Sequence, residues 1–466
     1  MTTMKCAARA LLALAGTLAT TPCLARTPNE ELAFDIFKEL VEINTVTATG
    51  DTAKAAEAMA ARLRAAGFDA RDIHVFNPAS RKGNLVAKLR GTGARRPIIL
   101  MAHLDVVEAR REDWTTDPFT LVEKDGHYYG RGTGDDKFMA AAFVANLIRY
   151  KREGYRPERD LILVLATDEE VADRDKLGIR WLLANQRALI DAEYALNEGG
   201  GVGLDKGRPL RVSVQASEKV YANFRLEVRD AGGHSALPAR TNAIYRLADG
   251  LAKLGRFDFP LQLNATTREY FRRAADLEEP KIGADMKAVA AQPPDAEAAA
   301  RLSQIPRFNA QLRTTCTATM LEGGHAENAL PQLARALVNC RVMPGVALEE
   351  VKATLVRVLG DDGIAVTALD EPSGSPPSPL EPAMMATIEK LAAEFWPGAP
   401  VIPVMSSGAT DGAFLRSAGI PTYGHSGLSG EVTENRAHGR DERILVKSFY
   451  EGQEYLYRLV KLLAGG

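Results

Sequence analysis

Apolar positions in the first half of the chain fall into two alternating rhythms. Glu30–Val41 and Ala53–Ala66 carry apolar residues at helical spacing. The second follows Thr47-Ala-Thr-Gly-Asp51, a loop with capping residues, so both stretches are predicted helices. Asn84–Leu89 and Ile98–Ala102 read as strands, and Ile98–Ala102 lacks polar alternation, as a strand buried on both faces of a parallel sheet does. The exchange continues with an alanine-rich helix at Asp136–Lys151 and a strand at Leu161–Ala166. Mostly helix over Lys176–Leu189 and a short strand at Tyr194–Leu196 complete it. Strands alternating with helices predict an α/β fold, a parallel sheet with helices packed on its faces.

The rhythm changes after about Val212. Tyr221–Arg229 alternates apolar and polar residues, as a strand with one solvated face would. Asn242–Leu254 reads as a helix, and Phe257–Asn309 is long, polar and largely helical in tone. Strands at Thr314–Met320, Ala334–Val342 and Gly363–Leu369 flank a helix at Leu348–Leu359. This set predicts an α+β insert. Glu371-Pro-Ser-Gly-Ser-Pro-Pro-Ser-Pro is a linker. Beyond it, Met384–Phe395 (helix), Ile402–Val404, the Gly419-Ile-Pro loop and Ser448–Leu463 (helix) return to the first pattern. The expected division is therefore 26–215 and 371–466 for one domain, with 216–370 inserted and 257–309 a helical elaboration of the insert.

Composition alters this picture mainly at the N-terminus. Lys5 and Arg9, the small-and-apolar run Ala10–Ala19 and the small-x-small triplet Cys23-Leu24-Ala25 predict a secretory signal cleaved after Ala25. The run is too short to span a bilayer, so the expectation is a secreted or periplasmic protein without a stable membrane span. Over 466 residues the formal net charge is −2. With no Lys/Arg-rich block, nucleic acid is not an expected partner. Cleavage would leave Cys316 and Cys340, on two predicted strands flanking a turn near Asn328. A bridge between them and two buried thiols are both open.

Candidate chemistry recurs where apolar runs end. Pro97-Ile-Ile-Leu-Met-Ala-His103-Leu-Asp105 places a histidine at a strand end with a carboxylate two residues on. There, one imidazole nitrogen can face a metal while the other donates its proton to a carboxylate. Gly130-Arg-Gly-Thr-Gly-Asp135-Asp136-Lys137 turns sharply into a helix. One aspartate of its pair is expected to cap that helix and the other to bridge metals. Leu161-Ile-Leu-Val-Leu-Ala-Thr-Asp-Glu169-Glu170 runs an apolar strand into three acids, which repel one another unless a cation offsets them. Tyr194-Ala-Leu-Asn-Glu198-Gly-Gly-Gly ends a fourth run in an acid, and Glu434-Asn-Arg-Ala-His438-Gly-Arg-Asp441-Glu442 adds a late histidine. Read singly, each has a structural reading as a strand end, a cap or a charged loop. Together they offer two imidazoles and three carboxylates in His103, His438, Asp135, Glu170 and Glu198. Those carboxylates and a bridging hydroxide would neutralise two divalent cations. Oxygen and nitrogen donors without cysteine fit zinc, with cobalt or manganese as substitutes.

In order and content these motifs resemble the co-catalytic zinc metallopeptidase family. That family contains aminoacylase, acetylornithine deacetylase, succinyl-diaminopimelate desuccinylase, glutamate carboxypeptidase and carboxypeptidase S. The resemblance implies a zinc-exopeptidase-like sheet with an inserted lid or dimerisation domain. It implies one zinc held by His103, Asp135 and Glu198, and another by His438, Asp135 and Glu170, with Asp135 bridging. Asp105 would orient His103, and Glu169 rather than Glu170 would be the general base, a choice the residues alone do not make. His234, in Gly232-Gly-His-Ser-Ala, matches a lid histidine that stabilises the tetrahedral oxyanion. Asn328 and Arg341 match groups that bind the substrate carboxylate, and Ser407-Gly408 with Thr410-Asp411 match a pocket-lining loop. Among the other histidines, His74 and His127 read as surface residues and His325 lies in a turn near Asn328. His425 is the rival to His438 as late ligand; His438 is preferred for its His-x-x-Asp-Glu setting.

The expected function is a dinuclear zinc hydrolase with metal-bound water as nucleophile. It would cleave a peptide or amide bond beside a free carboxylate in a small peptide. An aminoacylase-type hydrolase of N-acyl amino acids is the alternative within the class. A non-catalytic peptide-binding protein on the same fold is the alternative outside it. A dinuclear phosphoesterase is disfavoured because its usual Asp-x-His and Gly-Asn-His pairings are missing. The resemblance also implies a homodimer through the lid.

Overall fold

The computed structural model describes residues 26–171, 177–369 and 375–466. The expected signal segment, Lys176 at the start of one predicted helix, and linker residues 371–374 lie outside them.

Ten strands make the large sheet. At its centre Ile98–His103 lies between Leu161–Ala166 and Tyr194–Asn197, parallel to both, with His103 in register with Ala166. The apolar runs have no polar alternation because both sheet faces are covered. Leu100, Ala102, Leu163 and Leu165 face one core with the helices Pro28–Glu42, Thr52–Ala65, Lys137–Arg152, Pro382–Phe395 and Val446–Ala464. Ile99, Met101, Ile162 and Val164 face the other, with Ile179, Leu182 and Leu415. Each fully buried side chain of this size contributes about 1.5–3 kcal/mol. No helix among the described residues is long and apolar enough to cross a membrane.

The sheet is mixed rather than parallel throughout. Ile73–Ala79 and Lys82–Leu89 form an antiparallel hairpin, and the latter runs antiparallel to Leu161–Ala166. A connection as short as Ser80-Arg81 can only reverse the chain, since a parallel crossover needs a dozen residues or more. On the far side Arg208–Glu218 runs antiparallel to Val202–Asp205 and parallel to Val401–Ser406.

Four strands make a separate antiparallel layer, in the order Thr315–Gly323, Leu333–Val342, Val220–Arg229, Ile364–Ala368. Helices Ala243–Leu254 and Leu348–Leu359 cover one face. The alternation in Tyr221–Arg229 follows from this: Ala222, Phe224, Leu226 and Val228 are buried and the residues between them are not. Cys316 and Cys340 face each other across this layer and are joined in a disulfide. The helical segment grouped with the insert by sequence packs elsewhere. Phe271, Met286, Leu302 and Phe308 of Ala265–Leu312 share a core with Ile402 of the large sheet.

Candidate metal centre

Three neighbouring parallel strands deliver their carboxyl ends to one crevice, where ligands bind in open α/β sheets. His103 ends the central strand, Thr167–Glu170 follows Leu161–Ala166, and Glu198 follows Tyr194–Asn197. Gly200, two residues after Glu198, lets neighbouring backbone approach closely, because a Cβ there would lie 2.4 Å from the carbonyl oxygen of Gly424. Asp135 arrives from the glycine loop ahead of helix Lys137–Arg152. His438 arrives from a loop ahead of strand Arg443–Leu445, which pairs with His127–Tyr129.

The side chains converge. His103 Nε2 lies 2.9 Å from Asp135 Oδ1 and 3.9 Å from Glu198 Oε1. His438 Nε2 lies 2.9 Å from Glu170 Oε1 and 3.2 Å from Asp135 Oδ2. The two oxygens of Asp135 thus face two different imidazoles. Among the described residues, ligand atoms within 4.8 Å of one another group as His103, Asp135 and Glu198, as Asp135, Glu170 and His438, and as His103, Glu169 and Glu170. His103 Nδ1 faces the backbone oxygen of Asp105 at 3.0 Å, closer than the Asp105 carboxylate expected from the sequence, which lies 3.7 Å away. The buried Asp105 carboxylate accepts from the backbone N–H groups of Glu169 and Glu170.

Electrostatics say what this pocket suits. Burial pushes the Glu198 and Glu170 carboxyls up; His103 opposes this and the Asp135 charge adds to it. Burial also opposes ionisation of Asp135, yet hydrogen bonds from His103 and His438 hold its carboxyl below the usual range. The bond to Asp135, working against partial burial and with the charge of Glu170, raises His438 to about 9. Burial works against His103 too, but Asp105 and Asp135 raise it well above an ordinary imidazole. Acids crowded into low dielectric beside imidazoles whose proton affinity those acids raise fit a bound cation of higher charge, which holds carboxylates ionised and imidazoles neutral.

Other expected residues fall in different places. Asp136 occupies the N-cap position of Lys137–Arg152 but makes no side-chain cap bond. Its buried carboxyl is instead raised by desolvation, against the charge of His103 and the backbone N–H of that residue. Capping by this aspartate, expected from the sequence, is therefore not made. His234 is exposed on a two-residue strand paired with Ala329–Leu330, and its Nδ1 accepts from Ala236 N–H. Asn328 adjoins it, its carbonyl oxygen accepting from Ser235 N–H. Both lie outside the ligand-atom groups. Arg341 donates to the Ser407 carbonyl oxygen at 3.0 Å, next to Gly408, and lies over the Tyr221 ring. Thr410 accepts a bond from Asn197 and donates to Glu218. His425 is fully buried, with its ring nitrogens at the Ser213 carbonyl and the Tyr455 hydroxyl, and lies outside the ligand-atom groups found among the described residues.

Sequence reasoning gave no role to Arg131, Lys137 or Glu442, although the motifs containing them were recognised. Lys137 is fully buried, donates to the Ile43 carbonyl oxygen at 2.9 Å, and is lowered by burial to about 7. The only sequence signal for this set was three charged residues in stretches otherwise rich in glycine or ending a loop.

Residues 99–462 match the peptidase family M20/M25/M40. The chain belongs to this family. It is 27% identical to the N-fatty-acyl-amino acid synthase/hydrolase of Homo sapiens over 390 residues, covering 78% of this chain and 74% of that one. It is 27% identical to a probable carboxypeptidase S-like protein of Dictyostelium discoideum, covering 78% and 71%. The M20 metallo-carboxypeptidase Sso-CP2 of Sulfolobus solfataricus superposes with a TM-score of 0.68 over 92% of this chain and 98% of that one, at 18% identity. The resemblance read from the motifs is thus correct at the level of family and fold. This M20 protein is a member of an enzyme family of metallopeptidases and amidohydrolases.

Proposed function

We propose that the protein is a two-zinc hydrolase of amide bonds adjacent to a free carboxylate, acting on small peptides, with N-acyl amino acids as the second substrate class. The single observation that carries this is the pair of triads, His103–Asp135–Glu198 and Asp135–Glu170–His438, that share Asp135. One triad would hold each ion, with Asp135 between them. Two such ions supply Lewis acidity for a carbonyl and lower the pKa of water. The chain supplies the rest. Glu169, buried beside the cluster with its backbone fixed by Asp105, takes the proton from water on its carboxylate and returns it to the leaving nitrogen. Arg341 and Asn328 receive the substrate carboxylate, which a guanidinium binds through two parallel hydrogen bonds, and Ser407-Gly408 lines the pocket beside Arg341. His234, adjacent to Asn328 on the insert, helps stabilise the tetrahedral oxyanion.

The N-acyl class is kept because the human relative is named a hydrolase of N-fatty-acyl amino acids. The small antiparallel layer is read as a lid that also pairs two copies. Lys5, Arg9 and the apolar run that follows support export with cleavage after Ala25.

The test is hydrolysis by zinc-loaded protein of matched dipeptides and N-acyl amino acids, each as free acid and as C-terminal amide. The expected result is turnover of free acids and its loss on amidation. Equal turnover of both forms overturns the carboxylate requirement. Binding of both classes without cleavage of either points to the peptide-binding alternative.

A further inference from the structure

We propose that the buried Arg131–Glu442 pair is a positioning device that sets the loop of His438 against the loop of Asp135, so that the triad Asp135–Glu170–His438, with two of its ligands on these loops, depends on it more than the triad His103–Asp135–Glu198, which has only Asp135 there. This rests on the two-metal reading above.

The two histidines are held very differently. His103 ends a central strand, its side chain is 2% exposed, and Asp105 fixes its ring. The His438 side chain is 56% exposed, and its loop has neither strand nor helix. Two residues in that loop adopt left-handed backbone, His438 at φ 62° and Asp441 at φ 52°. Non-glycine residues occupy that region only where their surroundings fix them.

Central among these surroundings are one guanidinium and one carboxylate. Arg131 Nη2 donates to the carbonyl oxygen of Gly439, next to His438, at 2.9 Å. Arg131 Nη1 donates to Glu442 Oε2 at 2.7 Å. The same Oε2 accepts from Gly132 N–H at 3.0 Å, and Oε1 accepts from Gly134 N–H at 2.8 Å and Asp135 N–H at 3.2 Å. Both side chains are 3% exposed or less. Asp441 adds a second tie, accepting from the N–H and hydroxyl of Thr115.

One carboxylate therefore grips three N–H groups of the loop that delivers Asp135, and its partner grips the loop that delivers His438. Every atom facing Glu442 in this set is a donor. An amide at this position has one acceptor oxygen, so either orientation of Glu442→Gln turns an NH₂ group toward donors. Glu442 and Arg131 are not ligands; they act through the ligands that they place. Outer-shell partners of this kind are typically worth 10–100-fold in metal affinity.

The test is zinc binding to the full chain, measured for wild type and E442Q by competition with a chromophoric chelator, with zinc counted per chain. Unfolding of the zinc-free proteins is followed alongside. The expected result is two ions in wild type, and in E442Q a second-ion affinity reduced about 10–100-fold with a clearly smaller loss for the first ion, which shares only Asp135 with these loops. Wild-type affinity for both ions in E442Q overturns the positioning role. Equal weakening of both, or of neither while the zinc-free protein unfolds earlier, also overturns it, since either marks a general structural pair. If E442Q does not fold, R131K is read by the same outcomes, and failure of both to fold overturns the proposal. Wild-type protein that takes up fewer than two ions would instead refute the two-metal reading beneath it.

Discussion

The backbone carbonyl oxygen of Asp105 lies 3.0 Å from Nδ1 of His103. An acceptor there keeps the proton on Nδ1 and turns Nε2 toward Asp135 and Glu198. The same residue's carboxylate takes the N–H groups of Glu169 and Glu170 at 3.0 and 2.9 Å. One residue thus ties a ligand on one strand to the two acids on its neighbour. Asp105→Ala strips both N–H groups of their acceptor, at about 1–3 kcal/mol for each buried group. Thermal unfolding of zinc-free protein should show that loss, and zinc titration a weakening of about 10–100-fold. Asp105→Asn, which keeps one oxygen, should fall between. Wild-type values for Asp105→Ala would contradict this placement.

Glu169 lies with His103 and Glu170 but outside both triads that share Asp135. Glu169→Gln should therefore keep both ions and lose at least about 100-fold in kcat, the usual weight of a positioned base. Steady-state kinetics beside a metal count checks this. Loss of an ion in this variant would make Glu169 a ligand, and unchanged kcat would remove it from the chemistry.

Burial lowers His425 to about 4, with its hydrogen bond to the Ser213 carbonyl opposing. The folded pKa lies below the unfolded value of about 6.5. Between those values the unfolded chain binds the extra proton, so this group's contribution falls as pH drops through 6.5 toward 4 and is flat above. By pH 5 the loss is about 2 kcal/mol. Zinc-free wild type should lose that much more stability between pH 7.5 and pH 5 than His425→Gln, followed by denaturant unfolding. Parallel pH profiles would show that this histidine is not held neutral.

Cys316 and Cys340 are 24 residues apart in sequence and joined. Closing a loop of that length stabilises a fold by about 3 kcal/mol. Protein beginning at Arg26 should give no free thiol when unfolded without reductant, and reductant should shift its denaturant midpoint downward. Two titratable thiols would contradict the bridge.

Much of the site could be read from the sequence because the parallel core writes its strand ends plainly. An apolar run with no alternation that stops at His103, at Glu169-Glu170 or at Glu198 marks both the element and the functional end of it. His438 was placed by motif and resemblance, since its loop has no hydrophobic period at all. The same motif ranks it above its rival His425, which in three dimensions is packed between Ser213 and Tyr455. The hairpin Ile73–Ala79/Lys82–Leu89 was half missed because its edge strand is only partly buried and carries Asn77 and Pro78. The docking of Ala265–Leu312 on Ile402 joins residues over 90 positions apart, which no local pattern encodes. The Arg131–Glu442 contact spans 311 positions, so glycine-flanked Arg131 and loop-end Glu442 looked like solvated charges.

Zinc counted per chain, in wild type and His438→Ala side by side after identical loading, tests the account most directly. Two triads sharing Asp135 require two ions in wild type and one in the variant, held by His103, Asp135 and Glu198. A wild-type count of one or none, or a variant that keeps both, would contradict it.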